Sequence, residues 1–228
     1  MRMPLSIYVA KGHGRSYGME STFFGKKIPG IFQCGIWQAL DEQKKLPTAA
    51  WVSDIGNDLA YEVPVEKIIQ WVFGCVDRLL ALNARVVLSD LPIDVLRTVG
   101  ESRFRLFRAM FFPGCRLDWQ ELLHRAEQLS QRLYELARER KTPVFSVPNA
   151  WYGFDPIHPR RIHLVPLWRS LLDAGGVNVS ETTFTNKTRA MDWYLRSLRP
   201  ECWSTFSFCR RANQPNGRLH DGTEIALY

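Results

Sequence analysis

Short runs rich in β-branched and aromatic residues alternate along this chain with longer runs of helical periodicity. Each of the five predicted strands is followed by a loop that begins with small or polar residues, and the strands cover residues 6–10, 30–34, 50–54, 84–89 and 143–147. Apolar side chains recur at helical spacing over residues 65–80 and 122–136, and residues 93–112 also favour a helix. Strands that alternate with helices in this way predict an α/β fold, in which a parallel sheet is covered by helices.

Composition limits the class of protein. The 228 residues, of which 46% are hydrophobic, are enough for one sizeable core. We find no apolar run long enough for a signal peptide or a membrane span, so we expect a soluble, cytoplasmic protein. The five cysteines are odd in number and form no CxxC pair, which favours reduced thiols and argues against a zinc site. We therefore expect neither a metal nor a cofactor.

The positive net charge is a weak indication of an anionic partner. The formal charge is +7, but Lys and Arg are scattered along the chain among Asp and Glu. Only this charge and the segment Cys209-Arg210-Arg211 favour a nucleic-acid binder. We do not expect nucleic acid to be the partner, and salt-dependent binding to DNA or RNA would be the sign that it is.

A change in composition after residue 173 predicts two parts of the chain. Residues 1–173 carry the alternating strands and helices and form the predicted α/β domain. Residues 174–228 are predicted to be an extension packed on the same domain, with a short helix near residues 190–198. The extension could end in a β-hairpin, with residues 203–209 paired to residues 219–228.

Ligands of open α/β sheets bind beyond the carboxyl ends of the strands, so the loops that follow the strands are informative. The first strand is followed by GHGRSYG, which contains Ser16. The second is followed by Gly35, and the third by Gly56-Asn57-Asp58. The fifth leads into a loop that contains Asp155 and His158. Each of these loops therefore offers a polar group at one edge of the predicted sheet.

These groups are the ones that acyl transfer requires. Ser16 is the candidate nucleophile, His158 the candidate base, and Asp155, three residues before it, can orient the imidazole. The backbone N–H groups of Ser16 and Gly35, together with the Asn57 side chain, can stabilise an oxyanion. Each residue also has an ordinary structural role open to it: a turn for Ser16 and Asn57, a helix cap for Asp155 and a surface position for His158.

The order of these residues resembles the SGNH hydrolase superfamily, also called the GDSL-like lipases and acylesterases. In that family a serine follows the first strand, a glycine the second and an asparagine in a GxND block the third, and a DxxH block lies near the end. The resemblance assigns Ser16, Asp155 and His158 to the catalytic triad, and Ser16, Gly35 and Asn57 to the oxyanion hole. It implies a three-layer α/β/α, flavodoxin-like sheet of about five parallel strands, and a serine esterase whose substrate is a small-molecule ester. The family usually has Gly-Asp-Ser in its first block, whereas this chain has Gly14-Arg15-Ser16.

The departure at Arg15 leaves a second interpretation open, in which an SGNH-like domain binds a ligand or a partner protein without catalysis. The match of residues 14–18 to G-x-S-x-G does not indicate the α/β-hydrolase fold, because that motif lies in mid-chain there. Three aromatic residues flank the candidate loops, and we expect them either to line a substrate pocket or to pack in the core: Trp37, Trp151 and Tyr152. His13, three residues before Ser16, either contacts the substrate or belongs to a local turn.

Overall fold

The computed structural model describes residues 4–23, 25–43, 46–177, 188–205 and 208–228. These residues divide into two compact units. The first unit contains the described residues up to 43 and those from 188 onward, and the second contains residues 46–177. The first unit therefore joins the two ends of the chain, and the boundary predicted after residue 173 falls within the second unit.

The described residues form short strands and mostly longer helices, each named here in chain order. The strands are β1 (Ser6–Val9), β2 (Ser21–Phe23), β3 (Lys26–Ile28), β4 (Ala49–Val52), β5 (Arg85–Ser89), β6 (Val144–Phe145), β7 (Cys202–Thr205), β8 (Phe208–Arg211), β9 (Gly217–Arg218) and β10 (Glu224–Leu227). The α-helices are α1 (Ile36–Glu42), α2 (Asn57–Ala60), α3 (Val65–Ala81), α4 (Ile93–Arg97), α5 (Glu101–Phe111), α6 (Trp119–Glu139), α7 (Leu164–Ala174) and α8 (Arg189–Ser197).

The second unit contains a parallel sheet, and this confirms the α/β class. Its described strands lie in the order β4, β5, β6. Strands β4 and β5 run parallel with Val52 opposite Leu88, and β6 joins β5 with Val144 opposite the same residue. The consecutive residues Val86, Val87 and Leu88 of β5 are all buried, so both faces of the central strand are covered.

Two long amphipathic helices supply much of the core of the second unit. Helix α3 contacts β4, β5 and α6, and its apolar stripe is buried, as the helical spacing of residues 65–80 predicted. Helix α6 buries Leu129, Leu133 and Leu136 completely, which confirms the helix predicted over residues 122–136. The helix predicted over residues 93–112 is interrupted, because α4 ends at Arg97 and α5 begins at Glu101 after Gly100.

Helix α6 begins at an aspartate cap. The Asp118 side chain accepts a hydrogen bond of 2.8 Å from the backbone N–H of Glu121 and so satisfies one of the unpaired donors of the first turn. We expect Asp118→Ala to lower the free energy of unfolding by about 1 kcal/mol, measured by urea denaturation. Gln120→Ala, at an exposed position of the same turn, is the matched control. Equal midpoints for the two variants would contradict a capping role.

The first unit pairs the N-terminal strand with the C-terminal one. Strand β1 lies parallel to β10, with Ser6 opposite Glu224 and Val9 opposite Leu227, and β9 continues this sheet antiparallel to β10. A second sheet has the order β2, β3, β7, β8, and all its described pairings are antiparallel. Helix α8 confirms the short helix predicted near residues 190–198.

The described strands depart from the expectations in three places. Residues 31–33 form a 3₁₀ turn instead of a strand, because the N–H groups of Gln33 and Cys34 donate back to the carbonyls of Gly30 and Ile31. Residues 6–9 do form a strand, but its described partner is β10, so the parallel sheet of the second unit has three described strands and not about five. The last strands do pair as an antiparallel hairpin, β9 with β10, but the predicted pairing of residues 203–209 with 219–228 differs, because β7 pairs with β8 instead.

None of the helices in the described ranges has both the length and the apolar character needed to cross a membrane.

Candidate active site

Polar side chains collect at the carboxyl end of the parallel sheet in the second unit. Strand β4 ends just before Asp54, whose φ of 56° lies in the left-handed region that aspartate tolerates better than most residues. The backbone turns there, and the N–H of Asn57 donates to the Asp54 carbonyl at 3.4 Å before α2 begins. The loop predicted to follow the third strand is therefore a tight turn, with the half-buried Asn57 at its end.

Asp155 and His158 form the carboxylate–imidazole pair that their spacing predicted. One Asp155 oxygen accepts hydrogen bonds from the backbone N–H groups of Ile157 at 2.9 Å and His158 at 3.1 Å. The other lies 2.8 Å from His158 Nδ1. An ionised carboxylate can only accept, so Nδ1 carries the proton and Nε2 is the nitrogen left for proton transfer. The His158 side chain is 61% exposed, so the ring can be reached by a substrate.

The pair shifts the pKa values of both its members. The hydrogen bond from Asp155 raises the pKa of His158 above its usual value; burial opposes this shift, and the charges of Asp155 and Asp54 reinforce it. Burial alone would raise the pKa of Asp155, but the hydrogen bonds from His158 and Ile157 outweigh burial and lower it. Both shifts favour the ion pair of a protonated imidazole and a carboxylate. This is the state that a general base reaches during acyl transfer.

The same edge carries further negative charge. Burial raises the pKa of Tyr152 to about 12, and the charges of Asp90 and Asp54 contribute to the shift. Asp90 directly follows the central strand β5, Asp54 follows β4, and Tyr152 lies in the loop after β6. The charges of Asp54 and Asp90 therefore both act on Tyr152, and the charge of Asp54 also acts on His158, where it favours the imidazolium.

Asp90 is the residue of this edge that the sequence interpretation missed. Its carboxylate accepts hydrogen bonds from Ser130 at 2.9 Å, Tyr134 at 2.8 Å and Ser146 at 3.3 Å. It fixes the end of β5 to helix α6 and to the residue after β6. The sequence does contain a signal for Asp90, because this residue immediately follows the predicted strand 84–89. The polar candidates after the other strands occupy the corresponding position.

Ser16 lies in the first unit, in a folded loop. Its side chain is fully buried, and its Oγ accepts hydrogen bonds from the backbone N–H groups of Gly18 at 3.1 Å and Met19 at 2.9 Å. Its own N–H donates to Ser21 Oγ at 2.7 Å. In this conformation the serine oxygen stabilises a turn, which is the structural role that the sequence left open for it.

Gly30 packs against the backbone of this loop. A Cβ added at Gly30 would come within 2.8 Å of Gly18 C and Met19 N, which are backbone atoms that no side-chain rotation can move. We expect Gly30→Ala to lower the free energy of unfolding by about 1–3 kcal/mol, measured by urea denaturation. Gly114→Ala is the control, because nothing lies within 4 Å of a Cβ added there. The close packing would be contradicted if the two variants unfolded at the same urea concentration.

Of the other site residues predicted in the first unit, Gly35 and Trp37 lie at the start of α1, and His13 lies earlier in the chain. Gly35 is the N-cap of α1, and a Cβ added there would overlap the Glu201 carboxylate, so an anionic group borders the predicted oxyanion donor. Trp37 donates from its ring N–H to the carbonyl of Ile31 at 2.8 Å. His13 is exposed in the loop before Ser16.

The predicted site residues are divided between the two units. Asn57, Trp151, Tyr152, Asp155 and His158 belong to the second unit, and four lie in the first: His13, Ser16, Gly35 and Trp37. Within the triad, a contact is shown between Asp155 and His158. The ring of Trp151 stacks on His163, with centroids 5.3 Å apart, and thereby supports the loop that holds the pair.

Across the described ranges, no group of three or more His, Cys, Asp or Glu side chains is arranged to hold a metal ion. Comparison of the chain with protein-family models, with curated proteins and with solved structures found no match. Function is therefore inferred from the chemistry of these residues.

Proposed function

We propose that this protein is a serine-dependent hydrolase of carboxylic esters that acts through an acyl-enzyme. The observation that carries the proposal is the Asp155–His158 pair, held at 2.8 Å beyond the carboxyl end of a parallel sheet. A carboxylate that fixes the tautomer of an exposed histidine and raises its pKa is the arrangement of a general base. The SGNH-like order of residues and the three-layer, flavodoxin-like sheet that it implies belong to the same proposal.

The proposed mechanism gives each residue one role. Ser16 attacks the ester carbonyl while His158 Nε2 takes the hydroxyl proton, and Asp155 stabilises the imidazolium. The Asn57 side chain and the N–H groups of Ser16 and Gly35 stabilise the oxyanion. The imidazolium returns its proton to the leaving alcohol, and water activated by His158 then hydrolyses the acyl-enzyme. The nucleophile is buried in the structure, so this role requires the loop of Ser16 to open.

Labelling with a fluorophosphonate probe, followed by intact-mass measurement and peptide mapping, tests the proposal. We expect one adduct on the wild-type protein, located at Ser16 and absent from Ser16→Ala and His158→Ala. His220→Ala, which changes an exposed histidine, is the control and should label like the wild type. An adduct on another serine would overturn the assignment of Ser16, and a folded wild type that stays unlabelled would overturn the hydrolase.

The burial of Ser16 favours a second candidate function, an SGNH-like domain that binds a ligand or partner without catalysis. Its Oγ is fully buried and already accepts two backbone hydrogen bonds. In that case Ser16→Ala would change the stability of the loop, and the wild type would show neither labelling nor turnover of ester substrates.

A further inference from the structure

A pocket of about 260 Å³ in the first unit lies between α1 and the β1–β10 sheet. The residues that define its chemistry are Tyr8, Glu42, Glu224 and Tyr228. None of them belongs to the predicted triad or oxyanion hole. The volume is slightly below the usual range for small-molecule sites, about 300–1,000 Å³, so the pocket suits a small ligand.

Strand periodicity places most of the pocket lining on one face of the sheet. Ser6 and Tyr8 alternate along β1, and opposite them Glu224 and Ala226 alternate along β10. Tyr228 continues the same alternation, and its N–H donates to the Val9 carbonyl at 2.9 Å. Residues two apart on a strand share a face, so the aromatic rings and the Glu224 carboxylate lie on the same side.

The two tyrosine rings form an aromatic wall. The rings of Tyr8 and Tyr228 are stacked, with centroids 6.3 Å apart and planes inclined by 14°. Tyrosine faces carry partial negative charge and attract cations that lie over them. An aromatic wall of this kind therefore favours a positively charged group with apolar surface.

The charged residues among the described lining are both acidic. Glu42 is the last residue of α1, a helix with no basic residue in its last turn, so the partial negative charge of the helix end adds to its carboxylate. Glu224 supplies a second carboxylate, and none of the described lining residues is Lys or Arg. Burial is the main cause that raises the pKa of Tyr228 to about 12; Tyr8 follows, and Glu42 makes one of the smaller contributions.

One exposed arginine reaches this pocket from its rim. The Arg218 side chain, 75% exposed, lies 3.6 Å from a Glu224 carboxylate oxygen. At this exposure the pair is weak and screened by solvent. The Arg218 guanidinium shows that the carboxylate accepts a cation, and a bound ligand would compete with it.

We propose that this pocket binds a small organic cation, an ammonium group with alkyl substituents. The aromatic wall contacts the apolar surface of such a cation, and Glu42 and Glu224 balance its charge. A metal ion suits the pocket less well, because Glu42 and Glu224 are the only His, Cys, Asp or Glu residues among its described lining. This binding site is independent of the proposed hydrolase, since neither Ser16 nor His158 takes part in it.

Choline and its uncharged isostere 3,3-dimethylbutan-1-ol separate charge recognition from apolar contact. Saturation-transfer NMR and calorimetric titration at low ionic strength should show binding of choline and at least tenfold weaker binding of the neutral alcohol. Glu42→Gln, Glu224→Gln and Tyr8→Leu should each weaken choline binding at least fivefold. Glu20→Gln is the matched control in the same unit, because Glu20 is paired with Lys27 and does not line the pocket.

The proposal is overturned if choline and the alcohol bind equally, if choline does not bind, or if the pocket variants bind it as Glu20→Gln does. Circular dichroism and urea midpoints confirm that each variant is folded before its affinity is compared. Fluorophosphonate labelling of the same samples tests only the proposed hydrolase, and choline binding tests only the proposed pocket. The failure of one proposal can therefore be told from the failure of the other.

Discussion

Replacing His158 by alanine should lower kcat for a carboxylic ester by about 10²- to 10⁴-fold, the range that a positioned general base contributes. The expectation follows from the pair itself, in which Asp155 holds Nδ1 at 2.8 Å and leaves Nε2 for the proton of the nucleophile. Hydrolysis of a chromogenic acetate ester by the purified protein, followed by absorbance, measures kcat for both variants and the wild type. His220→Ala should keep full activity, and an active His158→Ala variant would exclude this histidine as the base.

A pH profile separates the base from a residue that only supports the fold. A general base must be neutral, so kcat/KM should rise with pH through the pKa of His158 and level off above it. Asp155→Asn removes the negative charge and replaces the carboxylate acceptor of Nδ1–H by a neutral amide, which raises the pKa less, so the rising limb should move to lower pH while its plateau falls. Asp54→Asn removes only a charge and should move the limb in the same direction by less. If the rising limb of kcat/KM stayed at the same pH in Asp155→Asn, the group that titrates would not be His158.

Local patterns predicted the helices and strands better than their partners. Helical periodicity predicts the buried apolar stripes of α3 and α6, and a continuous apolar run predicts the buried strand residues Val86 to Leu88. The partner of β1 could not be predicted in this way, because Ser6 pairs with Glu224 at the far end of the chain. The segment 30–34 has strand composition, but hydrogen bonds between its own residues fold it into a 3₁₀ turn that packs on the Ser16 loop.

The candidate site shows the same limit. Asp155 and His158 are three residues apart, so one turn brings them together, and their contact was predictable from spacing alone. The influence of Asp54 on His158 depends on how β4 and the loop after β6 are placed in the sheet. Ser16 is buried in a loop onto which Gly30 packs, and a local sequence motif cannot predict this contact.

Arg15→Asp should destabilise the first unit by about 3–5 kcal/mol, although it restores the Gly-Asp-Ser order of the family that the chain resembles. Arg15 is only 2% exposed, and its guanidinium donates to the carbonyls of Pro29 at 2.9 Å, Lys11 at 3.2 Å and Tyr228. Burial lowers its pKa, and the neighbouring Cys34 opposes that shift. An aspartate would place a carboxylate among carbonyl oxygens and remove three donated hydrogen bonds.

Urea denaturation and amide hydrogen exchange should both report this loss. Exchange should accelerate at Glu224 and Tyr228, whose N–H groups donate to the carbonyls of Leu5 and Val9 and hold β10 to β1. Arg15→Lys keeps the charge but not the guanidinium fork, so its stability should lie between those of the wild type and Arg15→Asp. Arg210→Asp, on an exposed strand, makes the same change of charge without these contacts and should stay near the wild type. If Arg15→Asp were as stable as Arg210→Asp and hydrolysed esters faster, Arg15 would suppress catalysis instead of joining the Ser16 loop to the C-terminal strand.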